Sequence, residues 1–126
     1  MEKENRFIGR FDKGHKGPLL ICIGAMHGNE PAGVRAIELV LKMLDVEPIK
    51  NPSFKYKGRF LGLIGNLNSF NAQQRFINKD LNRCFTKSHI DHLKSINPKH
   101  HDNEDAELLD LVQIIDEEIQ TYNPDK

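Results

Sequence analysis

No apolar run in these 126 residues approaches the roughly 20 that a membrane-spanning helix requires. Cysteine is scarce: Cys22 and Cys84 are the only two, too few for a disulfide scaffold and suited to a reducing compartment. Neither sign of charge is in excess, since 18 Lys and Arg offset 18 Asp and Glu. That balance argues against a chain built around nucleic acid or an anionic membrane surface. The opening residues, Met1-Glu2-Lys3-Glu4-Asn5-Arg6, are charged and contain no apolar segment resembling a signal peptide. There is no internal repeat and no low-complexity tract. What remains is one domain's worth of chain, expected to be soluble and cytoplasmic. Its 38% of hydrophobic residues leave modest material for a large core.

Arg6 to Phe11 alternates weakly, as a short edge strand does, and a turn at Gly14-His15-Lys16-Gly17-Pro18 follows. Leu19-Leu20-Ile21-Cys22-Ile23 is a continuous apolar run, which predicts a strand buried on both faces. It ends in the small-residue turn Gly24-Ala25-Met26-His27-Gly28-Asn29-Glu30. A helix should come next, because Pro31 suits a first helical position and Val34, Ile37, Leu41 and Leu44 recur at helical spacing. Val46 to Lys57 holds two prolines and no period, so a loop is expected there. Arg59 to Gly65 reads as the next strand, ending at Asn66. Leu67 to Phe85 is polar and irregular, with one helical turn expected near Phe70 to Gln74, and Lys87 to Asn103 is rich in His, Lys and Asp with a turn at Asn97-Pro98. Glu104 to Gln120 carries Leu108, Leu111, Val112, Ile115 and Ile119 on one face, the second main helix.

Strand, helix, strand and helix in that order imply an α/β sandwich with some parallel pairing. Such a chain normally returns from its helix into another strand. Tyr122 to Lys126 reads as the loop leading to one, so the chain is expected to be the front portion of a larger catalytic domain.

Two constellations carry chemistry. In Gly24 to Gly33, an apolar strand delivers His27 and Glu30 to the sheet's C-terminal edge, where open α/β sheets place their ligand sites. A histidine and a carboxylate three residues apart converge on one cation when a turn bends the chain between them. Imidazole nitrogen and carboxylate oxygen suit zinc, although other divalent ions share the preference. The plainer reading is a turn histidine, with Glu30 favouring a helix N-terminus. The second constellation is Arg75-Phe76-Ile77-Asn78-Lys79-Asp80-Leu81-Asn82-Arg83-Cys84-Phe85. Two arginines bracket a polar turn, with Asn82 beside the second, and are able to clamp an anionic substrate or to polarise a scissile carbonyl, with Asp80 orienting either of them. A solvated charged loop is the alternative.

Taken together, His27-Gly28-Asn29-Glu30 followed some fifty residues later by Arg75 and Asp80-Leu81-Asn82-Arg83-Cys84-Phe85 resembles the succinylglutamate desuccinylase/aspartoacylase family. Those proteins are zinc-dependent deacylases related in fold to the zinc carboxypeptidases. The resemblance implies a carboxypeptidase-like three-layer sandwich with a mixed, partly parallel sheet, truncated after the second main helix. It implies that His27 and Glu30 are two of three Zn2+ ligands and that Arg75, Asn82 and Arg83 bind substrate, a small anionic N-acyl amino acid. The family's third ligand and its general-base glutamate would both lie beyond Lys126, so the chain alone is expected to be inactive. The acidic start of the last helix, Asn103-Glu104-Asp105-Ala106-Glu107, also fits the family's order.

Other histidines do not belong to that pattern. His89 with His92, and His100 with His101, read as solvated surface residues ahead of a native third ligand, and His15 sits alone in its turn. Cys22 reads as core, and Cys84 as a small buried residue ahead of one facing the site. Two further functions remain open: a zinc carboxypeptidase acting on peptides, and a non-catalytic metal- or anion-binding module complete in itself.

Overall fold

The computed structural model describes residues 3–123. Three strands, β1 (Phe7–Phe11), β2 (Leu19–Gly24) and β3 (Arg59–Ile64), form one sheet in the order β1-β3-β2. The β1–β3 pair is antiparallel and the β2–β3 pair is parallel. Helix α1 (Ala32–Lys50) connects the parallel pair. A short α2 (Leu67–Asn71), then α3 (Lys87–Ser95) and α4 (Asn103–Tyr122), follow β3.

The layers follow from the two-residue period of β3. Leu61 and Leu63 point into one cluster with Leu93, Leu108, Leu111 and Ile114 from α3 and α4. Phe60 packs on the other face with Ile37 of α1, and Ile64 packs there with Val34. Helices therefore cover both faces of a mixed sheet. Leu61, Leu63, Leu108 and Leu111 are fully buried, each contributing roughly 1.5–3 kcal/mol of burial. Arg6 is buried as well, just ahead of the first strand. It donates to the carbonyl oxygens of Ile64 and Gly65 and to the carboxylates of Glu107 and Asp110, tying α4 to the end of β3.

Several sequence expectations need correction. The strand buried on both faces is β3, not β2, because the sheet order puts β3 in the centre and leaves Leu20 of β2 49% exposed. The expected loop from Val46 instead continues α1 to Lys50. Pro48 falls in the last turn, where it removes only the bond to Leu44. The helical turn expected near Phe70 lies three residues earlier, as α2. The polar stretch after Lys87, for which only a turn is expected, forms helix α3: Thr86 caps it by accepting from the His89 N–H, and Asn97 caps a short 3-10 turn. On α4, Ile119 is 47% exposed and Glu118 is buried in its place, bonded by Arg10 and Arg59. Of the terminal stretch Tyr122 to Lys126, the last three residues lie outside the described residues. No helix among the described residues is long and apolar enough to cross a membrane.

Candidate metal and anion site

Parallel pairing brings the C-terminal ends of β2 and β3 to one sheet edge. The pairing runs on past both strands, with Gly65 N–H donating to Gly24 O at 2.8 Å and Asn66 N–H to Ala25 O at 2.9 Å. Ala25 then takes a left-handed φ of 58°, a strained value for a residue with a Cβ, which turns the chain away from the sheet. The following turn closes with Glu30 N–H donating to His27 O at 3.1 Å. It leaves His27 Nδ1 and Glu30 Oε2 3.2 Å apart.

The second constellation folds onto this turn. Gly28 N–H donates to the Arg75 carbonyl at 3.1 Å, so the two segments are joined through their backbones. Asp80 Oδ1 lies 3.0 Å from His27 Nε2 and accepts the Asn82 N–H at 2.9 Å, capping the 3-10 turn Leu81–Arg83. The Arg75 guanidinium stands 3.9 Å from Glu30 Oε1 and 3.9 Å from Asp80 Oδ2. Desolvation raises the Asp80 carboxyl, but the bonds from His27 and Asn82 and the charge of Arg75 outweigh it and leave its pKa lowered. Arg83 is exposed and shares an open cavity of 440 Å³ with Lys79, Asp80, Cys84 and His89. Asn82 contributes its backbone N–H, and its side chain is exposed.

Thus His27, Glu30, Arg75 and Asp80 meet in one cluster, and Arg83 shares a cavity with Asp80. The other histidines have different partners, although His89 lines the cavity beside Asp80. His89 Nε2 lies 3.2 Å from Asp105 Oδ1, His101 Nε2 bonds the Leu93 carbonyl, and His15, His92 and His100 are exposed. Cys84 is buried against Leu81 and Leu93, and desolvation raises its thiol pKa; Cys22 packs beside Phe11 and Phe60.

Comparison with known proteins decides the family. Residues 16–121 match the family model of the succinylglutamate desuccinylase/aspartoacylase catalytic domain. The chain belongs to that family. It is also 40% identical over 63 residues to a probable aspartoacylase of Nostoc sp. (strain PCC 7120 / SAG 25.82 / UTEX 2576). That match spans 50% of this chain and 19% of the relative's length. No solved structure matches the chain significantly.

Within this desuccinylase/aspartoacylase domain, His27 and Glu30 bring together one nitrogen and one oxygen donor of the kinds that zinc sites use. The 3.2 Å separation between Nδ1 and Oε2 is a hydrogen-bond distance, and it equally suits two donors each about 2.0–2.1 Å from one cation. A neutral imidazole carries one N–H for two carboxylates, so the other contact needs a second proton or a metal ion. With Nε2–H donated to Asp80, His27 has the carboxylate-backed geometry that metal-ligating histidines favour. Among the described residues no group of three or more His, Cys, Asp and Glu is arranged to hold a metal.

Two roles escaped the sequence reading. The sequence assigns Asp80 to the arginines, yet its shortest contact with another side chain is the one to His27, 53 residues away. Glu104 was read only as part of an acidic helix start, yet it is fully buried beneath the Arg75–Asp80 loop. Asp102 and Asp105 of the same turn form a reciprocal capping box, a pattern legible in sequence.

Gly28 offers a direct test of how tightly the His27 turn and the segment leading to Arg75 are joined. An added Cβ would overlap the Ser69 carbonyl carbon and the Gln74 carbonyl oxygen, both of which are backbone. Gly28→Ala is expected to cost about 3 kcal/mol, the upper range for overpacking, read by urea unfolding. A variant as stable as wild type would mean that the loops separate without penalty.

Proposed function

We propose that this chain carries the zinc-binding turn and anion clamp of a deacylase that splits N-acyl amino acids into a carboxylate and an amine. His27 Nδ1 and Glu30 would hold the metal, with a third ligand and a general base supplied from outside residues 1–126. The observation that carries the reading is His27 set between two carboxylates, with its Nδ1 and Glu30 Oε2 spaced for one cation. Family membership and the three-layer arrangement around a mixed sheet support it, and with it a carboxypeptidase-like fold. When bound, zinc supplies Lewis acidity toward an acyl oxygen and makes water acidic near neutral pH.

The chain's own residues perform the binding and orienting. Asp80 accepts the His27 Nε2–H and fixes the tautomer that leaves Nδ1 free for the metal. Arg75 faces both carboxylates at 3.9 Å, and from there its positive charge would polarise an acyl carbonyl drawn to the metal. Arg83 and Asn82 lie on the exposed side, open to a substrate carboxylate. Both cysteines are free, which agrees with a cytoplasmic setting.

A substrate panel tests the proposal. The intact protein should hydrolyse N-acyl amino acids with kcat/KM at least about 100-fold above that for C-terminal peptide cleavage. The reverse preference would move the protein to the carboxypeptidase side. Hydrolysis of neither, with metal still bound, would favour a binding module.

A further inference from the structure

We propose that Glu104 is a positioning residue for the His27–Glu30 site: its buried carboxylate fixes the loop that delivers Arg75 and Asp80 to that turn. The inference rests on the metal reading above, and it is argued from hydrogen bonds that the two ligands do not share.

Glu104 sits in the first turn of α4 with no exposed surface. Five neutral N–H groups converge on it. Three are consecutive backbone amides, Ile77 at 3.0 Å, Asn78 at 2.8 Å and Lys79 at 3.0 Å. The other two are the side-chain amides of Asn66 at 2.8 Å and Asn103 at 2.7 Å. Burial pushes the carboxyl pKa up, but these donors prevail and hold it at about 2, so the group is a buried anion. An isolated buried charge is expensive, and an apolar side chain would serve packing better. The apolar stripe of α4 that fills the core begins four residues later, at Leu108.

What the anion secures is a stretch with no helix or strand of its own. Residues 76–78 are exposed, and their backbone course is set by where their N–H groups point. The stretch is pinned at three places. Arg75 O accepts from Gly28 at one end, Asp80 contacts His27 at the other, and Glu104 holds the middle. Asn78 Oδ1 accepting the Asn103 N–H at 2.8 Å, and Lys79 Nζ 3.0 Å from Asp102, add to the same anchorage. Asp80 therefore stands where it can receive His27 Nε2–H because a helix 24 residues further along the chain (104 − 80) holds the loop from below.

The test is Glu104→Gln in the intact protein, beside Glu104→Asp and a control, Glu118→Gln. Glutamine brings an NH2 group toward amides that are themselves donors, so several are left unpaired. Aspartate keeps the charge but cannot reach all three backbone amides. Glu118 is a second buried carboxylate of α4, bonded to Arg10 and Arg59 some 14 residues away (118 − 104), about 21 Å along the helix. Two readouts apply: Zn2+ titration of chelator-stripped protein, and 1H–15N spectra of the metal-free protein reporting the His27 ring and the amides of residues 77–79.

Zinc binding by Glu104→Gln should weaken by about 10–100-fold, as loss of an outer orienting group does, with displaced His27 and loop signals. Glu104→Asp should shift both readouts in the same direction by less. Glu118→Gln should bind zinc within about twofold of wild type, as distant sites do. Wild-type zinc affinity and an unchanged His27 ring in Glu104→Gln would overturn the proposal. If that variant does not fold, unchanged readouts in Glu104→Asp would overturn it equally. If wild type itself takes up no zinc, the metal reading fails, while the His27 and amide signals still decide whether Glu104 positions the loop.

Discussion

The intact protein carrying His27→Ala is expected to lose hydrolytic activity by about a hundredfold or more, since a metal's Lewis acidity supplies several kcal/mol to the transition state. Its thermal unfolding should stay within about 5 °C of wild type, the shift of roughly 1 kcal/mol in a domain of this size. The separation of the two effects follows from the contacts. His27 bonds Glu30 and Asp80 and belongs to none of the three apolar clusters. After truncation Asp80 keeps the Asn82 N–H and the charge of Arg75, so no carboxylate is left stranded. The measurement is kcat/KM on an N-acyl amino acid, beside a melting curve. An undiminished rate would remove His27 from the chemistry, and a collapsed melting temperature would make its role structural.

The second large effect concerns acid. Glu104 has its folded pKa lowered from 4.5 to about 2. A lowered carboxylate contributes stability that is complete above its unfolded pKa and is lost as pH falls through the folded one. Here the window runs from about pH 4.5 to about pH 2, and the contribution at neutral pH is about 3 kcal/mol. Glu118 and Asp105 are also lowered and act in the same sense. Glu107 acts oppositely: desolvation outweighs Arg6 and raises its pKa, so protonation relieves rather than harms the fold. Comparing wild type with Glu104→Gln isolates one group from this mixture. Urea unfolding across the acid range should show the variant less stable by about 3 kcal/mol at pH 7, with the two curves converging toward pH 2. Parallel curves would show that Glu104 is not the anion described.

Much of this arrangement was legible in the residues, for identifiable reasons. The two main helices announce themselves by apolar spacing, as at Val34, Ile37 and Leu41 or at Leu108 and Leu111, because one face must bury. Strand existence was equally plain, but strand burial was not. Whether Leu19 to Ile23 or Phe60 to Ile64 lies in the centre depends on sheet order, which local pattern does not encode. Two prolines and no period in Val46 to Lys57 suggest a loop, whereas Pro48 falls in the final turn of α1, where its missing N–H costs a single bond. The polar helix α3 was missed because its main apolar anchor is a single residue, Leu93, while its start is fixed by the Thr86 cap.

The candidate site divides in the same way. His27 and Glu30 were visible because they share one turn, and Arg75 with Arg83 because they share one loop. Asp80 behind His27 was not, since the contact spans 53 residues and closes only when the parallel strands align. Glu104 was least visible of all. A carboxylate in a helix's first turn is ordinary on electrostatic grounds alone, and three of its five partners are backbone amides that no residue type reveals.

If the turn from His27 to Glu30 holds a metal ion, the zinc content of the protein depends on His27. The intact protein and its His27→Ala variant would be dialysed side by side and their zinc measured by elemental analysis. Near-stoichiometric zinc is expected in the wild type, with its loss in the variant. Equal zinc in both would contradict this.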